Sequence, residues 1–596
     1  MVLGFCDRIT VPPSINESQR FGFVVCGMFC ALAAGAIYAF SLISGKMTDD
    51  YKFSQNDITT VSTVGIVLGY FTLPFGFIYD YIGPKPIFVI GIVAFSLGAT
   101  LFALTFQDTI GHSVASLSVI NAIMNIGCSM FDMGAILSIL SWFPIDRGLL
   151  VAATKTMTGL AGSVIATVYN TYFSGKHSEY MFFLVSMVAV IGIVSFIYIQ
   201  IPPFHMTGYR LKHYTEEEYA LARRVEHMYL VKKAPRRRFL VLFVIVIGLL
   251  IVITTQSIVF VFEDDEVPFY KRNPPAIVMI VLYFSLIIAV LPLPWLDGPT
   301  REEEPNREPV ELSGNMSDGD GNAVVDAADG SKNVNEEEQL YHNDDRNFPQ
   351  YRTSFFHNVL HNIPLWCVWI NAVIVSGGVH IVVLNSRQLY VAVSENTEDE
   401  QRPSLYVALT SVGNALGRLA VSFYEAWNAS RPLEKRTSIT VTYCIPALLM
   451  CLSCIFFLIL PANALIVPML LGGLANGSYA AALVLTVRTI FSIDVAKHYN
   501  SIFFFDLAGV IFFNRLLFGE IMTRNSVIGP EGQPQCLGRD KCLRTTFIVM
   551  ACLSAFAFVA SLTMHIVYMR FVRDKWAENS GQRDEEQVET QLELID

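Results

Sequence analysis

Six polar residues, Asp132, Lys155, His380, Asn414, Arg418 and Asp506, stand inside long stretches of sequence that are otherwise almost wholly apolar. Charges in such surroundings are costly, so they mark either structural pairs or a path for a polar ligand. Arg418 carries a permanent charge on a planar fork of donors that suits a carboxylate or a phosphate. Asn414 lies one helical turn before it, and Asp506, at a comparable depth on a later stretch, is its expected ionic partner. Asp132 and Lys155 also fall at matching depths, and read either as a structural ion pair or as a substrate or proton site. His380 could exchange protons near neutral pH or simply bond a neighbouring helix, the commoner use of a buried histidine. Asn121, Asn125 and Asn371 read as cavity-lining or helix-packing residues, and Cys451 with Cys454 as packing residues rather than a metal pair. Nothing resembles a phosphate loop, a metalloprotease helix or a nucleophile beside its base, so no enzyme activity, metal or cofactor is expected.

Only a set of membrane helices can hold such residues. Of 596 residues 53% are hydrophobic and 16% charged, with a mean hydropathy of +0.46, outside the usage of soluble globular domains. A helix needs roughly 20 apolar residues to cross the hydrocarbon core. Fourteen stretches of that length occur, at about residues 21–45, 58–79, 86–106, 115–142, 149–173, 180–202, 240–262, 274–296, 364–386, 405–426, 438–460, 464–490, 500–521 and 546–569. Residues 1–20 lack the basic start and cleavage site of a secretory signal, so the first span is expected to remain. The loop after the sixth span, residues 203–239, holds nine Lys and Arg, and the loop after the tenth holds Arg431, Lys435 and Arg436. These belong on the cytosolic side, which with an even number of crossings puts both termini there.

Charge divides the chain further. Residues 301–346 carry fourteen acidic and four basic residues, and the segment reads as a disordered cytosolic tether, with partner binding as the alternative. The basic stretch KKAPRRR, ending at Arg238, lies against a membrane face, so anionic lipid rather than nucleic acid is its expected contact. The resulting order is a cytosolic N-terminus (1–20), six spans (21–202), a basic loop (203–239), an inserted pair of spans (240–296), an acidic linker (297–355), six more spans (356–569) and an acidic cytosolic tail (570–596).

The two sets of six are similar to one another. VGIVLG at Val64–Gly69 matches VGNALG at Val412–Gly417, and AGAIYAFSLIS at Ala34–Ser44 matches SGGVHIVVLNS at Ser376–Ser386, which sets Tyr38 over His380. An all-α fold of two six-helix bundles with an inserted pair follows, the plan of the major facilitator transporters. Between the second and third spans stands GFIYDYIGPK, whose Gly76, Asp80, Gly83 and Lys85 resemble that superfamily's G-x-x-x-D-x-x-G-x-R/K signature. Its glycines permit close approach and tight turns, and its carboxylate can cap a neighbouring helix in only one arrangement of the bundles, as a conformational latch.

Further stretches narrow the resemblance. YAFSLISGKMTDDYKFSQNDI in and after the first span, WFPIDRGLLVAATKTMTGLAGS at Trp142–Ser163, and SVGNALGR at Ser411–Arg418 resemble the nodulin-like branch of the superfamily, related to the monocarboxylate and oxalate/formate carriers. Phe143, Pro144, Arg147, Gly148, Lys155, Gly159 and Gly162 are the most specific matches. At the position four before Arg418, where monocarboxylate carriers have an acid, this chain has Asn414. The resemblance implies a secondary transporter of a small solute, working by alternating access and open to proton coupling. A small organic anion is the leading substrate class, argued from Arg418 and Lys155. A metal or metal chelate is the rival cargo, and a transporter-like sensor signalling through the acidic linker is the rival class. Cys536 and Cys542, in the non-cytosolic loop between the last two spans, are expected to form a disulfide.

Overall fold

Helix starts and stops follow local chemistry in the computed structural model, which describes residues 15–40, 42–43, 46–47, 50–53, 55–144, 146–261, 269–297, 348–395, 401–432, 435–528 and 534–593. Helix α1 (Glu17–Ala34) begins at Asn16, whose side chain accepts the Gln19 N–H, and tightens over Gly35–Phe40. The second span is broken into α2 (Gln55–Tyr70) and α3 (Leu73–Ile82) just ahead of Pro74, a residue tolerated only in the first turn of a helix. Gly83, at φ +105°, ends α3 and lets Pro84 open α4 (Pro84–Phe106). Helices α5 (Val114–Trp142), α6 (Arg147–Tyr172) and α7 (His177–Tyr198) complete the N-terminal bundle.

The basic loop folds. It forms α8 (Gly208–His213) and α9 (Glu216–Val231), the latter started by a reciprocal cap between Thr215 and Glu218. Ala222, Val225 and Tyr229 of α9 bury with Ile15 against Trp142, closing the base of the bundle. The inserted pair is α10 (Arg236–Val261) and α11 (Phe269–Ser285), which continues through Leu286–Val290 to the short α12 (Pro294–Asp297). Of the RRR run only Arg236 and Arg237 are exposed. Arg238 is buried, paired with Asp297 at 2.7 Å and donating to the Ala289 carbonyl at 2.6 Å.

The acidic linker, from residue 298 to 347, lies outside the described residues, as do residues 1–14. Its last part is packed rather than free: Tyr351 bonds Ile490 O at 2.8 Å and stacks on Phe571 at 4.2 Å. The C-terminal bundle contains α13 (Phe355–His361), α14 (Ile363–Asn371), a π turn at Ala372–Ser376 and α15 (Gly377–Leu384). Then come α16 (Ser386–Ser394), α17 (Gln401–Ala429), α18 (Cys444–Ile459) and α19 (Ile466–Ile490). Helix α20 (Val495–Gly509) runs on as a π-helix over Val510–Gly519 into α21 (Glu520–Arg524). Strands β1 (Val527–Ile528) and β2 (Pro534–Gln535) and helix α22 (Arg539–Cys542) form a small lobe in which Cys536 is bonded to Cys542, Cα atoms 5.9 Å apart. The last helix, α23 (Arg544–Glu593), continues well past residue 569, so most of the expected tail is an extension of a span.

Thirteen helices among the described residues are long and apolar enough to cross a membrane. The fourteenth expected span falls on α17, which is 29 residues long but carries Asn414 and Arg418 among its apolar positions. The internal repeat is visible as equivalent packing. Gly65 and Gly69 of α2 lie against Asn121 and Asn125 of α5, and their counterparts Gly413 and Gly417 of α17 lie against Leu470, Leu474 and Ser478 of α19. The bundles meet along two seams, α6 against α17 and α3 against α20, which exchange under the same repeat.

Candidate functional site

Gly148 and Gly159 set the first seam. A Cβ on Gly148 would stand 2.8 Å from Ala426 N and Ser422 O, and one on Gly159 would stand 3.5 Å from Ala415 N and Arg418 Nε. Gly162, on the next turn, is half-buried. Gly148→Val is therefore expected to push α6 off α17 and destabilise the protein by about 1–3 kcal/mol, as overpacking does. A lowered unfolding temperature in detergent checks it, and an unchanged one would mean that the seam tolerates the added bulk.

Between the seams lies a cavity of about 110 Å³. Tyr70, Asp132 and Lys155 line it from the N-terminal bundle, and Ser376, His380, Arg418, Tyr479, Tyr499 and Asp506 from the C-terminal one. Lys155 Nζ donates to both carboxylate oxygens of Asp132, at 2.7 and 2.6 Å, and to Tyr499 OH at 3.2 Å. An ammonium has three protons, so Lys155 is fully bonded within the protein.

The expected Arg418–Asp506 pair is not present. Arg418 is buried, donating through Nε to Asn414 Oδ1 at 2.9 Å and through Nη1 to the Lys155 carbonyl at 2.7 Å. The second bond crosses between bundles. Among the described residues no carboxylate forms a salt bridge with Arg418. Asp506, also buried, accepts instead from Tyr479 OH at 2.6 Å. Equal depth did not bring the two together because α17 and α20 present them to different neighbours.

His380 bonds across to the other bundle. Its Nδ1 lies 2.7 Å from Ser376 O, which can only accept, so Nδ1 carries the proton. In the neutral ring Nε2 is then the acceptor, and Tyr70 OH donates to it at 3.2 Å. Hydrogen bonds run from Ser376 through His380 to Tyr70, on the wall of the cavity that Asp506 also lines. The Tyr38 side chain lies outside the described residues. Asn121 donates to Val61 O, Asn125 to Asn121, and Asn371 to Ala557 O at 3.2 Å, all of them joining helices or turns outside the cavity. Cys454 is buried and Cys451 approaches Ala551 O, in ordinary packing.

At the end of the bundles carrying the basic loop, α3 meets the start of α20. A Cβ on Gly76 would stand 3.3 Å from Ala496 O, and the Asp80 carboxylate faces the N–H groups of Ala496 and Lys497. Lys85 is in the first turn of α4. Asp494, which caps α20, accepts from Lys497 Nζ at 2.5 Å and Phe355 N at 3.0 Å. Burial raises its carboxyl, but these bonds prevail and hold it below the usual carboxylate range. His205, buried beside Arg488 and Arg210, is driven down to about 3, first by burial and then by those charges, and is neutral. On the first seam Arg147 donates to Arg488 O at 3.4 Å and sits in the field of Glu425 of α17. Phe143 is fully buried and stacks under the Arg20 guanidinium at 4.0 Å, while Pro144 follows it in the turn before α6.

Sequence reasoning missed Glu425, Ser376, Tyr70, Tyr479 and Tyr499. The repeat could have found Glu425, which lies one turn before Asn428, the counterpart of Asp80 at the 348-residue offset. Tyrosines within apolar spans give no comparable signal.

Among the described residues, thirteen helices long and apolar enough to cross a membrane form two bundles that meet around a shared polar cavity. Residues 24–272 match the family model described as Major Facilitator Superfamily. No curated protein matches the sequence. Among solved structures, the nucleoside transporter NupG is 12% identical, with 92% of this chain and 100% of that chain covered and a TM-score of 0.38. The proton:xylose symporter XylE bound to 6-bromo-6-deoxy-D-glucose is also 12% identical, with 91% and 95% covered and a TM-score of 0.45. The peptide transporter POT in complex with sulfate gives 12%, 93% and 95%, with a TM-score of 0.47.

Proposed function

We propose that this protein is a secondary transporter that carries a small organic anion by alternating access, with Arg418 as the anion-binding group. The observation that carries the reading is the state of Arg418: a buried cation on the cavity wall, bonded to two neutral acceptors and to no carboxylate among the described residues. Such a charge is compensated when an anion joins it. Lys155 is fully bonded, so the anion falls to Arg418 alone.

A proton is the coupling ion in this reading. Arg418 and Lys155 carry two positive charges against Asp132; with a proton on Asp506 the site is +1, and one monoanion neutralises it. With Asp506 ionised the same anion would leave a net −1 in a low-dielectric site, where unbalanced charge is costly. Metal cargo has less support: among the described residues no group of three or more His, Cys, Asp or Glu side chains is placed to hold an ion. The exposed Lys232, Lys233, Arg236 and Arg237 support a cytosolic side at the basic end, with anionic lipid as their neighbour.

Uptake into proteoliposomes, screened across organic acids, amino acids and metal ions with and without a pH gradient, tests the function. Saturable accumulation of an organic anion, enhanced by the gradient, is expected. Accumulation of a metal cation, or binding without accumulation as a sensor would give, overturns the reading.

The signature around Asp80 serves as a latch, supported by its carboxylate facing the first turn of α20 in the other bundle. A carboxylate at a helix N-terminus contributes about 0.3–1 kcal/mol, and up to ~2 when partly buried. Asp80→Asn is expected to move the balance of inward- and outward-open forms by about two- to thirtyfold, since 1.4 kcal/mol is tenfold. Cysteine accessibility measured from both sides reads the balance; an unchanged pattern in well-expressed protein would count against the latch.

A further inference from the structure

The inserted pair is held by the two bundles in different ways. Toward the N-terminal bundle its bonds are directional. Tyr283 OH donates to Met28 O at 2.7 Å, Arg272 Nη1 to Asn170 O at 3.2 Å, and Tyr172 OH to Asn273 Oδ1 at 2.9 Å. The Ser18 hydroxyl donates to Val290 O, and Tyr283 packs on Phe29 with ring centroids 5.1 Å apart. These contacts anchor α11 and its continuation, at both ends and in the middle, to α1 and α6. Toward the C-terminal bundle, α10 lies along α17, where the ring of Phe243 meets the ring of Phe423 edge-on at 4.8 Å. Helix α10 also contacts α6, so the pair covers the α6–α17 seam on its lipid side.

The two kinds of contact respond differently to movement. A hydrogen bond to a backbone carbonyl inside a membrane is lost with a displacement of an ångström or two, and nothing nearby replaces it. An apolar ring contact is non-directional and can be remade a little further along. We propose that the inserted pair moves as part of the N-terminal bundle and forms the surface on which α17 slides when the bundles exchange orientation. The pair thereby keeps the seam beside Arg418 closed to lipid in each state. This rests on the alternating-access reading above, but on different contacts.

Spin-label distances in the full-length protein in lipid nanodiscs test it without a known substrate. Labels go on Val190 of α7, Val281 of α11 and Ile459 of α18, which all face outward, at 62%, 60% and 62% exposure. The background carries Cys451→Ser and Cys552→Ser, which removes the accessible free thiols among the described residues. The Val190–Val281 distribution should be narrow, and Val281–Ile459 should be as broad as Val190–Ile459. Linking Phe243→Cys to Phe423→Cys should then narrow Val190–Ile459 to one population, and reduction should restore its width. A broad Val190–Val281 distribution, or no effect of the link, overturns this proposal alone. A narrow Val190–Ile459 distribution without the link removes the rocking itself, and with it the alternating-access reading.

Discussion

Arg418→Lys is expected to lower transport at least about tenfold although the charge is kept. The guanidinium makes bonds in two directions at once, from Nε to Asn414 Oδ1 at 2.9 Å and from Nη1 to the Lys155 carbonyl at 2.7 Å. It retains further N–H groups for a ligand in the cavity it lines. An ammonium is a point donor on a stem without the fork, so it cannot serve Asn414, the opposite bundle and an anion in the same geometry. Loss of one charge-assisted bond is worth about 1.5–3 kcal/mol, or roughly ten- to a hundredfold. Arg418→Ala should abolish transport. Membrane insertion and thermal stability must be measured alongside, because breaking a buried polar network can itself cost about 3–5 kcal/mol. Normal uptake by a folded Arg418→Lys protein, or transport of a cation that ignores Arg418 altogether, would end the organic-anion reading.

Asp506→Asn should separate coupling from translocation. The amide keeps the shape of the carboxyl and can still accept from Tyr479 OH, so the cavity wall is preserved. It cannot gain or lose a proton. Accumulation driven by a pH gradient is expected to fall by at least about tenfold, while exchange of labelled for unlabelled substrate, with no gradient, stays within a few-fold of wild type. The groups that face Asp506 are Tyr479, Tyr443 and Tyr499, with His380 on the wall of the same cavity. His380→Gln is the control for that neighbour, and should slow proton delivery without removing the gradient's effect. Should Asp506→Asn still accumulate substrate against its gradient at the wild-type level, the proton binds elsewhere.

Much of the helical architecture was legible in the sequence, since apolar length is a local property of the chain. The paired sequences at Val64–Gly69 and Val412–Gly417 announced equivalent helices because their glycines do the same work in each bundle, admitting α5 in one and α19 in the other. Asp132 and Lys155 could be set side by side by counting residues at about 1.5 Å each from a common membrane face. Depth is one coordinate only. Which way a side chain points depends on the rotation of its helix and the angle at which it crosses its neighbours, and those are settled by packing across the whole bundle. For that reason Arg418 and Asp506 share a depth and a cavity but not a bond, and Arg238 turns inward while its two neighbours face out. The hydroxyls of Tyr479 and Tyr499 gained their places at the charged groups in the same way. The sequence by itself determined which polar residues lie within the membrane and in which helix; only the tertiary structure decided which of them meet, because partners across a seam are chosen by helix rotation that no local pattern encodes.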